Sequence, residues 1–467
     1  MPKTTNTHSS VDANSARIEG KHLRKQTPRS SHGDWRPVSD RTDPIDLLQE
    51  QDKGRLQHLL PIKYGRMMAS PFAFLRGSAV VMAADLASTP VTGLDTVICG
   101  DAHLANFGLF ATPERNVVFD VNDFDETYPG PWEWDLKRLA TSAVIAGRGN
   151  GFHNKTCGKL ATVVSRAYRE AMQRFAAMSI MEVWYYQVNA ASVVDLFDTY
   201  AKKSAEGARK TLRKARTHTS EHTLAKLTHI VDGQPRFINS PPVLVRMADL
   251  MTDEEKRSAR EQGSVDRAWE AYKRTVPEER RRLLSRYRVA DAALRVGGVG
   301  SVGTRCAIAL LEGERPQDAL ILQQKEVGAS CLQAYLPDHG FSSQAQRVIV
   351  GQRLMQASSD IFLGFMDGES GIQYYWRQFK DMKGEFDVTT FGAKGLATYL
   401  AVCGACLARA HARAGGSAAI AGYLGKSTTF DKAIRRFAVA YADQTERDHM
   451  ALLDAIDTGR IVASPGV

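Results

Sequence analysis

A run of glycines near position 300 limits the possible folds of this chain more than any other segment. It lies in the stretch LRVGGVGSVGTRCAIALLEG, in which Gly298, Gly300 and Gly303 match the pattern G-x-G-x-x-G. In a dinucleotide-binding fold this pattern opens a helix. Here it is followed by residues that alternate in the manner of a strand. The pattern therefore predicts a loop between two antiparallel strands and argues against a dinucleotide-binding fold.

The next strand-like segment, ALILQQKE, carries a lysine that fits this arrangement. Lys325 shares one face of the strand with Ile321 and Gln323, because side chains alternate along an extended chain. In kinases a glycine-rich loop covers the phosphates of ATP, and a lysine on a following strand contacts them. The alternative is a glycine-rich hairpin with a surface lysine. The predicted nucleotide-binding residues are Gly298, Gly300, Ser301, Gly303 and Lys325.

A second polar constellation lies in CGDAHLANFGLF, which follows a short apolar run. Asp101 and Asn106 are separated by four residues, the spacing of an Asp and an Asn in kinase catalytic loops. In such loops the Asp accepts the proton of the substrate hydroxyl and the Asn binds magnesium. His103 could orient Asp101, touch a phosphate or be a structural histidine. The alternative for the whole segment is a polar turn that caps a helix or binds a structural cation.

A further magnesium ligand is expected on the hairpin that follows, VVFDVNDFDET, which offers Asp120, Asp123 and Asp125. On an extended strand Asp123 falls on the same face as the apolar residues before it, so it emerges where the buried face ends. We therefore prefer Asp123 as the ligand, with Asp120 as the alternative and Asp125 as a helper. Carboxylate oxygens beside substrate phosphates are what magnesium requires.

Composition indicates an ordinary globular protein. The chain has 467 residues, 43% of them hydrophobic, which is enough for two or three domains, and a formal charge of +9. Of six scattered cysteines only Cys403 and Cys406 have metal or redox spacing, and no second pair completes a zinc site. We interpret them as core residues of a helix. No apolar run reaches the roughly 18 residues of a membrane span, and the expected location is the cytoplasm.

The sequence divides into four predicted segments. Residues 1–44 are expected to form a disordered basic tail, and 45–290 a mostly helical lobe with a β-hairpin that turns at Thr112 to Asn116. Residues 291–383 are expected to form a small β-rich lobe, and 384–467 helices that return to the large lobe. The basic stretch RKTLRKARTH is typical of a solvated helix face, with nucleic-acid binding as the alternative.

Two resemblances emerge from these motifs. GDAHLANFG followed by NDFDE, and then by the pair Asp135-Leu136, resembles the aminoglycoside and choline kinase branch of the protein-kinase-like fold. SPFAFLRGSA, CGDAHLANFG, VGGVGSVGTRC and YYWRQFKDMKG together resemble the bacterial domain of unknown function 2252 family, over nearly the whole chain after residue 45. In the first of these motifs, Arg76 could reach a phosphate or pair with an acid in the core, and the ion pair is the favoured interpretation.

The kinase resemblance implies a role for each motif. Asp101 would be the catalytic base, Asn106 and Asp123 would hold magnesium, and Asp135 would steady the catalytic loop. The loop from Gly298 to Gly303 would cover the phosphates of ATP and Lys325 would contact them. The strand Tyr374 to Phe379 would run to the adenine-binding hinge.

The order of the motifs is reversed relative to an ordinary kinase, in which the glycine-rich loop comes first. We therefore expect an α+β, two-lobe, protein-kinase-like fold that is circularly permuted. This hypothesis predicts that the helix over residues 395–414 packs beside the strand at 96–99. One departure is that the helix after Lys325 contains no Glu to pair with that lysine. Gln352, Glu326 or another acid would take its place, or the site would be inactive.

The leading hypothesis is an ATP- and magnesium-dependent phosphotransferase acting on an unknown hydroxyl acceptor, either a small molecule or a protein. One alternative is a catalytically inactive nucleotide-binding scaffold, and another is a kinase-like enzyme that transfers AMP. A third is a binder of nucleic acid or of another anionic partner, in which the Gly and Asp motifs are structural.

Overall fold

The computed structural model describes residues 12–231, 233–256, 264–315, 318–368 and 371–466. Helices make up 54% and strands 15%, so the chain is an α+β protein. The strands are β1 (Asp95–Ile98), β2 (Phe107–Ala111), β3 (Val117–Val121), β4 (Tyr128–Pro131), β5 (Thr228–Val231), β6 (Gln234–Phe237), β7 (Leu244–Arg246), β8 (Arg288–Arg295), β9 (Cys306–Glu312), β10 (Leu320–Val327), β11 (Gly364–Asp367) and β12 (Gln373–Gln378).

The longer helices carry most of the fold, and shorter ones connect them. They are α1 (Ala13–His22), α2 (Pro44–Asp52), α3 (Leu60–Met67), α4 (Pro71–Gly77), α5 (Ala79–Leu86), α6 (Trp132–Gly149), α7 (Asn154–Phe175), α8 (Ile180–Tyr185), α9 (Ala190–Tyr200), α10 (Lys202–Thr217), α11 (Ser220–Leu227), α12 (Met247–Leu250), α13 (Ser264–Lys273), α14 (Glu278–Leu284), α15 (Gln344–Met355), α16 (Ala393–Ala414), α17 (Ser417–Leu424) and α18 (Thr429–Asp457).

A six-stranded antiparallel sheet forms the small β-rich part, in the order β11-β12-β10-β9-β8-β7. Its two faces bury separate apolar clusters, because successive side chains of a strand point to opposite sides. Leu311 and Leu322 pack with Trp376 on one face, while Leu310 and Ile321 belong to the cluster on the other. The glycine-rich segment joins the antiparallel strands β8 and β9, as predicted.

The largest core lies among α6, α7 and α16, where Trp132 stacks on Tyr168 with 5.5 Å between the ring centroids. The helix α16 packs beside β1, as the permutation hypothesis predicts, and the hydroxyl of Thr96 donates to the backbone carbonyl of His411 at 3.5 Å. Cys403 and Cys406 are buried free thiols in this helix, as expected. Residues that are distant in sequence therefore meet at β1.

The hairpin of β2 and β3 turns at Thr112 to Asn116, as predicted. Within the lobe predicted to be mostly helical, β5 and β6 also form a short antiparallel pair. Gly233 supplies the reversal with a φ of +75°, a conformation that glycine adopts without strain.

The N-terminal residues also differ from the predicted disordered tail. Residues 1–11 of that prediction lie outside the described residues, but α1 packs closely on α17. A methyl group placed at Gly20 would meet the Ala419 carbonyl oxygen at 1.9 Å, so only glycine permits this approach. Further along, Arg41 forms ion pairs of 2.7 Å with both Asp85 and Asp448. Residues 12–44 are thus ordered by contacts with distant segments; the other predicted boundaries stay predictions.

The basic stretch predicted as a solvated helix face lies in α10. Arg209 forms ion pairs with Asp198 and Glu206, and Arg213 pairs with Glu206 at 2.7 Å. Neighbouring acids thus offset part of its positive charge. Among the described helices, none has both the length and the hydropathy that crossing a bilayer requires.

Candidate functional site

A cavity of about 610 Å³ brings together motifs that are far apart in the sequence. It is lined by Asp101 and Asn106, by Asp123 and Asp125, and by residues of the six-stranded sheet. The predicted site residues among its lining are Asp101, Asn106, Asp123, Gly298, Gly300, Ser301 and Lys325. Gly303 is the exception, since it packs outside the cavity against Arg55, with a φ of +90°.

Asp135 fixes the segment Cys99–Asn106, which we call the Asp101 loop. Its carboxylate accepts hydrogen bonds from the backbone N–H groups of Cys99 at 2.8 Å and Gly100 at 2.9 Å. The same carboxylate contacts Nε2 of His411 at 3.2 Å, and Nδ1 of His411 contacts the Tyr168 hydroxyl at 2.8 Å. This buried chain of contacts holds the start of the loop in one conformation.

Gly100 is required in this loop for two reasons. Its φ of +76° is unfavourable for other residues, and a methyl group there would lie 2.5 Å from the carbonyl oxygen of Glu126. We expect Gly100→Ala to lower the free energy of unfolding by more than the roughly 1–2 kcal/mol of the backbone conformation alone. Gly93→Ala is the matched control, since Gly93 has a φ of +74° and open space around it. Equal losses for both variants in urea denaturation would contradict the close packing inferred at Gly100.

The two carboxylate oxygens of Asp101 have different neighbours, Arg138 and His103. Its Oδ1 accepts a hydrogen bond of 2.5 Å from Nε of Arg138, while Oδ2 lies 3.7 Å from Nε2 of His103. Burial raises the pKa of Asp101 to about 7, with a smaller contribution from repulsion by Asp123 and opposition from Arg138. A carboxylate that titrates near neutral pH is suited to accept a proton from a substrate.

The two candidate metal ligands Asp120 and Asp123 lie in different surroundings. Asp120 is buried in an ion pair of 2.5 Å with Arg409 and also accepts from the backbone N–H of Ala357. Asp123 lines the cavity instead. Asn106 donates its Nδ2 to the backbone carbonyl of Asp101 at 2.6 Å, which leaves its side-chain oxygen as an available ligand. The structure therefore places Asp123 and not Asp120 beside Asn106 in the cavity lining.

Lys325 of β10 forms an ion pair with Asp125, across 200 residues of sequence. The hydroxyl of Tyr375 on β12 also donates to Asp125, at 2.8 Å. Burial acts to raise the pKa of Asp125, but Lys325 holds it below its ordinary value. Conversely, burial acts to lower the pKa of Lys325, and attraction by Asp125 raises it overall. The lysine is therefore charged and is tied to the turn that carries Asp123.

This ion pair takes the place of the pair that a Glu on the helix α15 would form with Lys325. Gln352 donates to Gln356 at 2.9 Å, and Glu326 pairs with Arg305 at 3.2 Å. The acid that pairs with Lys325 is thus Asp125, one of the alternatives left open by the sequence. It comes from the turn between β3 and β4 and not from the helix.

Two arginines at the site, Arg138 and Arg377, were not among the residues predicted from the sequence. Arg138 follows Asp135 by three residues in α6, and this spacing places both on one helical face toward the Asp101 loop, a signal available beforehand. Arg377 lines the cavity from β12, where it donates to the side-chain oxygen of Gln323 at 2.9 Å. Arg377 lies two residues after Tyr375, so the two side chains are on the same face of β12.

The segment Gly297–Gly303, which we call the Gly-rich loop, is held by the connection between α2 and α3. Nη1 of Arg55 donates to the carbonyl of Gly300 at 2.9 Å, and the backbone N–H of Leu56 donates to that of Gly303 at 2.7 Å. Among the described residues, the backbone N–H groups of Gly298, Val299 and Gly300 donate no hydrogen bond to another loop or turn. Successive free N–H groups of this kind form anion-binding concavities.

The donors fit magnesium that is bound together with phosphates better than a self-contained metal site. In the described part of the chain no cluster of three His, Cys, Asp or Glu side chains could hold a metal alone. Magnesium is commonly held by one or two carboxylates, with substrate phosphates and water completing six ligands. Asp123 and Asn106 offer oxygen ligands of this kind.

Comparison with family models identifies a family for this chain. The model of a family described as "Uncharacterized protein conserved in bacteria (DUF2252)" matches residues 55–455. No curated protein and no solved structure matches the chain.

Proposed function

The chain belongs to the DUF2252 family of uncharacterized bacterial proteins, and we propose that it is an ATP- and magnesium-dependent phosphotransferase acting on a hydroxyl acceptor. The observation that carries this proposal is the ion pair between Lys325 and Asp125. It joins the strand beyond the Gly-rich loop to the turn that carries Asp123. Two motifs that each supply half of a phosphoryl-transfer site thus line one cavity.

The arrangement of the sheet supports a kinase-like interpretation. A glycine-rich loop joins two antiparallel strands, the next strand carries the lysine, and a helix follows. Protein kinases place these parts in the same succession. The packing of α16 beside β1 is what a circular permutation of that fold requires. We therefore propose a permuted, two-lobe, kinase-like fold.

In the proposed reaction Asp101 accepts the proton of the acceptor hydroxyl through Oδ2, the oxygen that does not contact Arg138. The acceptor oxygen then forms a bond to the γ-phosphorus while the bond to the leaving β-phosphate oxygen breaks. Lys325 and the N–H groups of the Gly-rich loop bind the phosphates, and Asn106 and Asp123 would hold magnesium. Bound magnesium offsets the negative charge of the phosphates.

A nucleotide-binding scaffold without catalysis is the second candidate. The contact of Arg138 with Asp101 favours it, because a paired carboxylate is a weaker base. Transfer of AMP would use the same parts and differs in which phosphorus is attacked.

The six cysteines are all free thiols, which suits the reducing cytoplasm that we propose as the location.

The proposal is tested by magnesium-ATP binding measured by calorimetry. We expect the wild type to bind, and Asp123→Asn and Lys325→Met each to weaken binding by about tenfold or more, since each removes a charged contact to the phosphates or metal. Arg282→Gln is the control, because this side chain is 80% exposed on α14 and outside the cavity lining. A folded wild-type protein that binds no magnesium-ATP would overturn the proposal.

The same protein then separates the three nucleotide hypotheses. Incubation with a cell metabolite extract and ATP labelled at the γ-phosphorus or at the α-phosphorus shows which group is transferred. Transfer of the γ-label supports a kinase, and transfer of the α-label supports AMP transfer. Binding of ATP with no transfer of either label supports the scaffold.

A further inference from the structure

Arg76 is held between the two motifs by a helix that belongs to neither. The helix α4 is capped by Ser70, whose hydroxyl accepts from the backbone N–H of Ala73 at 3.0 Å, and begins with Pro71. On one side the carbonyl of Leu75 accepts from Nη2 of Arg138 at 2.8 Å. On the other side Phe74 packs in the same apolar cluster as Val299 of the Gly-rich loop.

The side chain of Arg76 lines the cavity and reaches toward both loops. A methyl group placed at Gly298 would lie 4.0 Å from Nη2 of Arg76. On the other side, burial and Arg138 lower the pKa of His103 well below its ordinary value, and repulsion by Arg76 contributes further. Arg76 is therefore near the gap that a phosphate would occupy between Asp101 and the Gly-rich loop.

Arg76 differs from the other basic side chains of the cavity in having no partner among the described residues. Each of the others has an acid, a hydrogen-bond acceptor or an aromatic ring beside it. The partnered residues are Arg55, Arg115, Arg295, Lys325, Arg377, Lys380 and Lys383. The Nε of Arg76 is buried and has no hydrogen-bond acceptor, so the ion pair with a core acid favoured in the sequence is absent there.

A buried donor without an acceptor is costly, and nearly all such groups in folded proteins have a partner. We infer that Arg76 binds the terminal phosphate of the nucleotide, as a further binding residue outside both motifs. The planar guanidinium matches two phosphate oxygens at once, which a lysine ammonium does not. This inference rests on the proposed function, and it extends that function by naming which phosphate Arg76 contacts.

The inference is tested with Arg76→Gln and Arg76→Lys, by calorimetry with the magnesium complexes of ATP, ADP and AMP. We expect Arg76→Gln to weaken ATP binding by about tenfold or more, the loss of one charged contact, and to leave ADP and AMP binding nearly unchanged. Arg76→Lys should restore part of the ATP affinity, because it keeps the charge. Arg282→Gln should behave like the wild type.

A loss of the same size for all three nucleotides, or no loss for ATP, would overturn the inference. Melting temperatures without ligand show whether each variant is folded. If Arg76→Gln does not fold, the comparison of the three nucleotides is made with Arg76→Lys. Inorganic tripolyphosphate is titrated in parallel. If the wild type binds no nucleotide, the proposed function fails, while tripolyphosphate binding that depends on Arg76 still supports its role. The absence of that binding overturns both.

Discussion

Asp101→Asn is expected to slow phosphoryl transfer by about 10²–10⁴-fold, the usual contribution of a general base, with little change in magnesium-ATP affinity. Asparagine keeps the shape of the side chain and can still accept from Arg138, but it cannot take up the acceptor proton. The measurement is the transfer rate with labelled ATP beside calorimetry of binding. Glu385→Gln is the control, because it removes another acid from the cavity lining.

The pH profile distinguishes a base from a merely structural carboxylate. Burial raises the pKa of Asp101 to about 7, so its charged form, which accepts protons, predominates only above that pH. The kcat/KM of the wild type should therefore rise as pH increases through about 7. The residual activity of Asp101→Asn should lack this rise. Full activity of the variant, or an unchanged pH profile, would rule out Asp101 as the base.

Asp120→Ala is expected to lower the free energy of unfolding by about 3–5 kcal/mol, the cost of leaving one partner of a buried ion pair alone. Asp120 and Arg409 each expose 1% of their side chains, so water cannot replace the lost partner. The measurement is urea denaturation. Asp123→Ala, at the cavity three residues on, is the matched control and should change stability far less.

The double variant Asp120→Leu with Arg409→Met should recover part of the lost stability, because apolar side chains can replace a buried pair but cannot accept from the backbone N–H of Ala357. If Asp120→Ala and Asp123→Ala are equally destabilised, the assignment of Asp120 to the core and Asp123 to the cavity is wrong.

Local patterns were sufficient to predict several elements. The helical spacing of apolar residues predicted α16, and the alternation after the glycines predicted β9 as a strand. The packing of residues 12–44 could not be predicted in this way. It depends on close contacts such as that of Gly20 with Ala419, which the polar composition of the segment does not indicate.

At the site, the residue types were predictable and their pairing was not. Alternation favoured Asp123 over Asp120, but it could not show that Asp120 lies in the core, because β3 is buried on both faces. The pairing of Lys325 with Asp125 joins a strand to a turn 200 residues away, and no local pattern encodes it. In kinases the partner of this lysine is a Glu on the following helix, and the helix that follows Lys325 here carries no acid.

The contact of His411 with Asp135 also determines when the site can assemble during synthesis. These residues are 276 positions apart, so the ribosome adds the second on the order of tens of seconds after the first. Until then the Asp101 loop lacks its last support, and α16 has not yet covered β1. A nascent or prematurely terminated chain therefore carries every residue of the Asp101 loop without the contact that completes its support.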